Sequence, residues 1–368
     1  MTRVYPSDHD YIRRTLRDFR VAENGQRWVA RLRGEGKFRS SVFPELSDLE
    51  PQVLVELIPV ADWKRPRLLL RWLSALRLPY LTISLLPLLL VLCARLREPG
   101  RLPALLSALL LCSVSLIHLG CNLWSDYEDH LRGVDNPGQS GGSGVIQRLW
   151  IPAVHLRNGA AALFLLGCAF GLVLLTQLPS ELVGQRLLWL GLTGALGAAS
   201  YSGWPFHYKY FGLGEPVVFL LSGPLVTAGA ASLFFPDPLQ ILHFALLSLP
   251  LSFLVTLRLH TGNMQRIPFD TAAGVLTIAR FGGFAWSKRA YAFLTIAPFL
   301  CVAALVVGGA AGYPALLCFL SAPLAGQALL TLRSVCGPVD PLCYDLRRNA
   351  ARLHALFGLL FCLGFLFL

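Results

Sequence analysis

Residues 118–150 read HLGCNLWSDYEDHLRGVDNPGQSGGSGVIQRLW and carry Asp126, Glu128, Asp129 and Asp135 beside Arg132 and Arg148. The stretch begins inside one apolar run and ends just before another, where carboxylates are costly to place. Asn122, Asp126 and Asp129 stand at i, i+4 and i+7, which on a helix confines them to roughly a 60° arc of one face. His118 extends that stripe a turn deeper, Glu128 points off it, and Asp135 follows Gly133 in the loop. Carboxylates with an amide oxygen are hard ligands, suited to magnesium that also takes phosphate oxygens. No Cys/His set accompanies them for zinc. Charges can simply end an apolar span at the interface, but three acids and an asparagine in this register favour a site. Gly141-Gly142-Ser143-Gly144 can bring backbone N–H groups close to an anion, and it gains meaning by following the acidic helix end. The chemistry these residues suit is metal–diphosphate chemistry.

Such a helix end needs apolar elements to position it. The 368-residue chain is 55% hydrophobic and 14% charged, against about 25% charged in soluble domains, so it reads as a polytopic membrane protein. Nine apolar spans are expected, at about 80–95, 103–125, 158–177, 186–204, 214–235, 239–260, 290–310, 313–332 and 352–368. Residues 63–77, WKRPRLLLRWLSALR, suit a basic amphipathic helix at the headgroup level leading into the first span. Residues 1–70 form a polar extension without a catalytic motif, expected to be helical. Asp8 or Asp10 can cap a helix through about Glu23, and Glu23-Asn24-Gly25 reads as a turn before a second short helix. This extension reads as a small cytoplasmic cap or a docking surface for a protein partner, with a regulatory module as the other reading.

The net charge of +11, from 32 Lys+Arg against 21 Asp+Glu, fits positive-inside orientation and anionic headgroups of the lipid bilayer. No basic–aromatic surface module points to nucleic acid. The loops after spans two, four, six and eight are long or basic, whereas those after five and seven carry no Lys or Arg. That alternation places the N-terminus in the cytoplasm and the C-terminus outside; Arg95, Arg97 and Arg101 after span one do not follow it. All polar motifs then face the cytoplasm. The nine cysteines read as small core residues, with Cys336 and Cys343 in a loop, not as disulfides or zinc ligands. The polar start, MTRVYPSDHD, is not a signal peptide.

The pattern N-L-x-x-D-Y-x-D-x-x-x-G-x-D from Asn122 to Asp135, followed by Ser140-Gly-Gly-Ser-Gly-Val-Ile-Gln147, resembles the first aspartate motif of the UbiA superfamily of intramembrane prenyltransferases. The similarity is to the branch that prenylates 1,4-dihydroxy-2-naphthoate in menaquinone biosynthesis. Arg77-Leu-Pro-Tyr-Leu-Thr82 with Pro87, Tyr201-Ser-Gly-Trp-Pro-Phe206, Tyr210-Phe-Gly-Leu-Gly-Glu215, Gly223-Pro224 and Asp270-Thr-Ala-Ala-Gly274 with Thr277 are similar to further family stretches. The resemblance covers about residues 70–368 and departs at the second motif, His260-Thr-Gly-Asn-Met-Gln-Arg-Ile-Pro-Phe-Asp270. Asn263 and Asp270 match, but Arg266 holds the position of an expected Asp. An Arg there repels a metal and can bind a diphosphate oxygen directly. Pro268 argues for loop at this point. Ser125 replaces an Asn common in the family.

The resemblance implies an all-α integral membrane fold, a bundle of nine transmembrane helices over residues 71–368, with residues 1–70 as the small N-terminal cytoplasmic helical extension. It implies a multi-pass protein, of a bacterial inner membrane, that moves a polyprenyl group from its diphosphate to a small aromatic acceptor with Mg2+. Asp126, Asp129, Asp135 and Asp270 would hold metal, and Asp126, Asp129 and Asp270 would be catalytic. Asn122 and Asn263 would orient phosphates. Arg77, Arg148, Lys209 and Arg266, with Gly142 and Ser143, would bind diphosphate, although Lys209 and Arg148 also read as positive-inside charges. His118 would act on an acceptor hydroxyl or be a hydrogen-bonded helix histidine. Tyr201 would line the acceptor pocket or be an interfacial aromatic, as Tyr210 would. Three readings of Arg266 stay open: it replaces the second metal's charge, a shifted ligand keeps two metals, or transfer is lost. A UbiA-type terpene cyclase, or a non-catalytic prenyl-lipid-binding or scaffold protein, are the alternative functions.

Overall fold

The protein is seen in a computed structural model that describes residues 11–15, 38–45, 52–59, 66–100, 102–132, 134–135, 141–148, 150–178 and 181–367. Two compact units emerge. One comprises Met1–Leu78, Leu119–Leu163 and Pro268–Val275; the other comprises Pro79–His118, Phe164–Ile267 and Leu276–Leu368.

The N-terminal stretch corrects the helical expectation. β1 (Tyr11–Thr15), β2 (Phe38–Glu45) and β3 (Gln52–Pro59) pair antiparallel in the order β1-β3-β2, with Tyr11 opposite Glu56 and Val42 opposite Val55. Gln52-Val-Leu-Val-Glu-Leu-Ile-Pro59 is rich in β-branched residues, which lose χ1 freedom in a helix and suit a pleated surface. Pro44 falls on β2, an edge strand of this sheet, where a missing N–H is tolerated. The expected caps Asp8 and Asp10 and the turn at 23–25 lie outside the described residues.

From residue 66 onward the described elements are helical. α1 (Leu68–Leu76) passes through a 3₁₀ turn at Leu78–Leu81 into α2 (Thr82–Arg97). α3 (Ala104–Leu131), α4 (Ala153–Thr176) and α5 (Glu181–Ala199) follow. α6 (Gly214–Leu220) runs through a π-helical turn at Leu221–Leu225, which contains Pro224, into α7 (Val226–Phe234). α8 (Pro238–Leu247) starts at Asp237, whose carboxylate accepts from the Leu239 N–H, with Pro238 at the first helical position. α9 (Leu249–Ala272) carries the second motif. α10 (Ile278–Val307) is capped by Thr277 and bends at Gly283, whose φ of 74° favours glycine. A 3₁₀ stretch at Tyr313–Ser321 leads into α11 (Ala322–Ser334), and α12 (Leu342–Gly364) closes the chain.

Among the described residues six helical segments are long and apolar enough to cross a membrane: Leu68–Arg97, Ala104–Leu131, Ala153–Thr176, Gly214–Phe234, Ile278–Val307 and Tyr313–Ser334. The pair α8–α9, bent by 41°, makes a seventh when counted as one broken span. The other two of the nine expected spans, α5 and α12, are helices with local polar interruptions. α5 has Gln185 and Arg186 in its first turns, and α12 has Arg347, Arg348, Asn349 and Arg352 in its first half. Two further readings are corrected. Pro268 lies inside α9 near its C-terminal end, not in a loop; helices in apolar surroundings tolerate such a proline because neighbouring groups re-satisfy the freed carbonyl. Cys343 is buried in α12, whereas Cys336 is exposed in the preceding loop, and all nine cysteines are free thiols.

Each unit has its own apolar core. Ala75, Leu123, Tyr127, Val145, Ile146, Ile151 and Leu156 pack together in the first, joining α1, α3, the loop after it and α4. The second is centred on fully buried residues such as Leu88, Leu254, Tyr291, Phe357 and Phe361. There α12 sits so close to the 3₁₀ stretch that a Cβ on Gly364 would stand 2.9 Å from the Ala315 Cα, against backbone that cannot turn aside. Gly364→Ala is therefore expected to destabilise the protein by about 1–3 kcal/mol. Gly326→Ala on α11, which meets open space, is expected to leave the thermal midpoint in detergent unchanged or higher; equal midpoints for the two variants would contradict the close approach.

Candidate active site

The first acidic motif rides on α3. That helix is continuous from its apolar half to Leu131, so Asn122, Asp126 and Asp129 share a face as their spacing predicts. Asp126 and Asp129 are buried, as is Asp135 in the loop. The loop returns because the Asp129 carbonyl accepts from the Val134 N–H at 2.8 Å, and because Val145 and Ile146 bury themselves beside Leu123 and Tyr127. Apolar burial thus brings the glycine turn back over the acidic helix end.

Asp126 is the centre of the cluster. Arg77, just past α1, has a left-handed backbone (φ 51°, ψ 50°), uncommon for a residue with a Cβ. Its Nη2 donates to the Asn122 carbonyl at 2.9 Å and stands 3.0 Å from Asp126 Oδ1. Asn122 Nδ2 donates to the Leu76 carbonyl at 3.2 Å, which fixes the end of α1 against α3. On the other side the Ser143 N–H donates to Asp126 Oδ2 at 3.0 Å, and the Ser143 hydroxyl donates to the same oxygen. The Gly142 N–H donates weakly to Asp135 Oδ1 at 3.4 Å. A Cβ on Gly142 would run into the Asp135 carboxylate and stand 2.5 Å from Asp126 Oδ1. Only glycine lets the two carboxylates close over this turn. The glycine turn expected to meet a ligand anion therefore engages the chain's own carboxylates here.

The donor set fits a magnesium ion shared with a substrate and not a cage built by protein alone. Asp126 Oδ1 is buried and accepts no hydrogen bond among the described residues, and the Arg77 guanidinium stands 3.0 Å from it. It faces Asp135 across Gly142. Among the described residues no three His, Cys, Asp or Glu side chains converge to hold a metal. Magnesium commonly binds through one or two carboxylates and takes its remaining ligands from water and phosphate. Asp270 is buried in the last turn of α9 within the same unit, and its carbonyl accepts from the Val275 N–H at 2.8 Å.

The second motif has a network of its own. Glu215, buried on α6, accepts from Asn263 Nδ2 at 3.1 Å and faces His260 Nδ1 at 3.1 Å. His260 Nε2 lies 3.1 Å from the Ser287 carbonyl. A carbonyl and a carboxylate both accept, so the two contacts are hydrogen bonds together when both ring nitrogens donate. Asn263, expected to orient phosphates, is thus tied to Glu215. Sequence reasoning assigned Glu215 and His260 no role; the available signal was a carboxylate at the head of an apolar run. Arg266 is buried on α9. The other expected residues have surroundings of their own. Arg148 is exposed with its guanidinium 5.1 Å over the Trp150 ring, and Lys209 lies 5.7 Å over the Tyr210 ring. His118 Nδ1 is 2.7 Å from the Ser84 hydroxyl, as a hydrogen-bonded helix histidine would be. A Cβ on Gly214 would stand 3.7 Å from the Tyr201 hydroxyl, so this ring lies beside the start of α6.

Comparison with known proteins bears on the family and the fold. The UbiA prenyltransferase family matches residues 84–335. UbiA prenyltransferase domain-containing protein 1 of Xenopus tropicalis is 27% identical over 61% of this chain and 64% of its own length. The Homo sapiens protein of that name is 28% identical over 51% and 54%. The chain thus spans little more than half to just under two thirds of these relatives. The apo structure of a UbiA homolog from Aeropyrum pernix K1 superposes with a TM-score of 0.54 at 17% identity, covering 77% of this chain and 96% of that one. A UbiA homolog from Archaeoglobus fulgidus bound to DMAPP and Mg2+ gives 0.51 at 14% identity, covering 79% and 99%. At such identities the likeness is one of fold.

Removing one member of the buried Arg77–Asp126 pair strands the other. Asp126→Leu alone is expected to cost about 3–5 kcal/mol, and Arg77→Met with Asp126→Leu together less than the sum of the single changes. Denaturation of the detergent-solubilised variants reads this; strict additivity would mean that the two groups do not interact.

Proposed function

Because this chain belongs to the UbiA prenyltransferase family, we propose that it is a multi-pass membrane prenyltransferase that transfers a polyprenyl group from its diphosphate to a small aromatic acceptor with Mg2+. The observation that carries the proposal is the Asp126 centre, paired with Arg77 at Oδ1, held by Ser143 at Oδ2 and facing the Asp135 carboxylate across Gly142. Asp126 and Asp135 would hold the magnesium, with Asp129 and Asp270 as the further acids of the motifs. The metal, when bound, supplies positive charge against the leaving diphosphate. Arg77 positions Asp126, Ser143 fixes the carboxylate's orientation, and the apolar helices exclude water from the prenyl cation.

Arg266 supports a second reading. Where the family pattern has an acid, its guanidinium neutralises phosphate charge directly, and the ring-forming terpene cyclase remains the other outcome of the same ionisation. A naphthoate-type acceptor, nine spans, a cytoplasmic site in a bacterial inner membrane and a partner-docking role for residues 1–70 belong to this proposal and rest on the sequence patterns alone.

The test is diphosphate release by purified protein in nanodiscs, given farnesyl or geranylgeranyl diphosphate and Mg2+, with and without a dihydroxynaphthoate acceptor. Release that needs acceptor supports transfer; release with a cyclic hydrocarbon supports cyclisation; no release with any donor length refutes both. Asp126→Asn, and chelation by EDTA, are expected to lower the rate by about two to three orders of magnitude. An EDTA-treated enzyme at full rate would remove magnesium from the account. Arg266→Gln is expected to raise the donor KM; an unchanged KM would place Arg266 outside donor binding.

A further inference from the structure

A pocket opens in the second unit where apolar elements end together, on residues given no role above. α2 ends at Arg97, α7 ends at Phe234 and α8 begins at Pro238, each at the end of a candidate span. The pocket therefore lies at headgroup depth. Its volume is about 260 Å³. The floor is apolar: the Phe235 and Phe244 rings stack with centroids 4.7 Å apart, and Phe365, just past α12, joins them. All three are buried. The rim is polar, with Arg97 and Glu98 from the end of α2 and Gln240 and His243 from α8. Arg186 Nη1 donates to the Pro236 carbonyl at 2.8 Å, which braces the turn between α7 and α8.

The two charges on the rim do not neutralise each other. Arg97 closes the helix, whereas Glu98 leaves it with an extended backbone (φ −68°, ψ 147°). Among the described residues, no ion pair or side-chain hydrogen bond engages the Arg97 guanidinium, the Glu98 carboxylate, the Gln240 amide or the His243 ring. The His243 ring meets Phe244 edge-on, with centroids 6.0 Å apart. Arg97 also belongs to the loop whose arginines depart from the alternation of basic loops. A cation kept against that pattern suits a partner of its own. Beside the pocket, Leu239, Leu242 and Leu246 stand at i, i+3 and i+7 on α8 and are exposed. They form an apolar stripe along the helix, next to the edge that carries Gln240 and His243.

We infer that this pocket holds the headgroup of a zwitterionic aminophospholipid of the phosphatidylethanolamine type. The phosphate pairs with the Arg97 guanidinium, and the primary ammonium donates to the Glu98 carboxylate and the Gln240 amide oxygen. Adjacent opposite charges match a headgroup whose own charges are joined by a two-carbon link. A purely anionic headgroup would leave Glu98 facing a like charge, and a trimethylated ammonium has no N–H to donate. The volume falls below the roughly 300–1,000 Å³ of pockets for drug-sized ligands. It suits a headgroup whose acyl chains lie outside, along the Leu239–Leu242–Leu246 stripe. The inference concerns the membrane around the chain and does not rest on the prenyltransferase reading.

The experiment titrates the full chain in detergent with phosphatidylethanolamine, phosphatidylcholine and phosphatidylglycerol of identical acyl chains, and reads bound lipid by native mass spectrometry. The first phosphatidylethanolamine is expected to bind about tenfold more tightly than either of the others, in line with one charge-assisted pair. Glu98→Gln is expected to remove the preference over phosphatidylcholine while leaving phosphatidylcholine binding unchanged. Arg97→Gln is expected to weaken both by about tenfold, because they share the phosphate. Both positions are exposed, so the variants are expected to keep the fold. Equal binding of the three lipids, or a preference that Glu98→Gln leaves intact, would overturn the site. Tightest binding of phosphatidylglycerol, lost in Arg97→Gln, would assign the pocket to anionic lipid and overturn the zwitterion. Free phosphoethanolamine is expected not to displace the lipid at equal concentration; displacement as effective as by the lipid would make the ligand a soluble one and overturn the membrane source.

Discussion

The ion pair of Arg77 with Asp126, 3.0 Å apart and largely buried, is the constraint around which the first unit is built. A carboxylate at the end of an apolar helix loses hydration worth several kcal/mol, and only close opposite charge and hydrogen bonds offset that loss. Each neighbour fits this need. Arg77 adopts a left-handed backbone that costs about 1–3 kcal/mol in a non-glycine residue, and in doing so carries its guanidinium to α3. Ser143 satisfies one oxygen twice, and Gly142 leaves room for the second carboxylate. The remaining oxygen, Oδ1, faces both the Arg77 guanidinium and the Asp135 carboxylate across Gly142.

A different solution to the same problem appears in the other unit. Glu215 accepts from Asn263 and faces His260 Nδ1, while the Ser287 carbonyl accepts from His260 Nε2. That network is closed, and it explains why Asn263 stays in place on α9.

Much of the first site was legible in the sequence because it depends on helical register. Asn122, Asp126 and Asp129 share a face by spacing alone, and the return of Gly142 and Ser143 follows from the apolar Val145 and Ile146 behind them. Arg77 was legible as a candidate cation, but its contact with Asp126 needs a left-handed residue that no local pattern announces. Arg148 and Lys209 have the right charge for a diphosphate, and each also stands over an aromatic ring, Trp150 and Tyr210. The role of Glu215 was illegible because its partners are 45 and 48 residues away. The N-terminal strands were missed because polar residues hid the β-branched run at β3. Pro268 was read by its usual effect in water, which does not hold in an apolar bundle.

The central claim is that Asp126 and Asp135 hold a metal whose coordination is completed by the donor's diphosphate. The most direct measurement is Mn2+ binding followed by electron paramagnetic resonance, with and without a non-hydrolysable thiolodiphosphate analogue of the donor. Two carboxylates alone should bind Mn2+ weakly, and the analogue should tighten that binding by about tenfold or more, an effect absent in Asp126→Asn. Tight binding without the analogue, or binding that the analogue and Asp126→Asn leave untouched, would contradict the account.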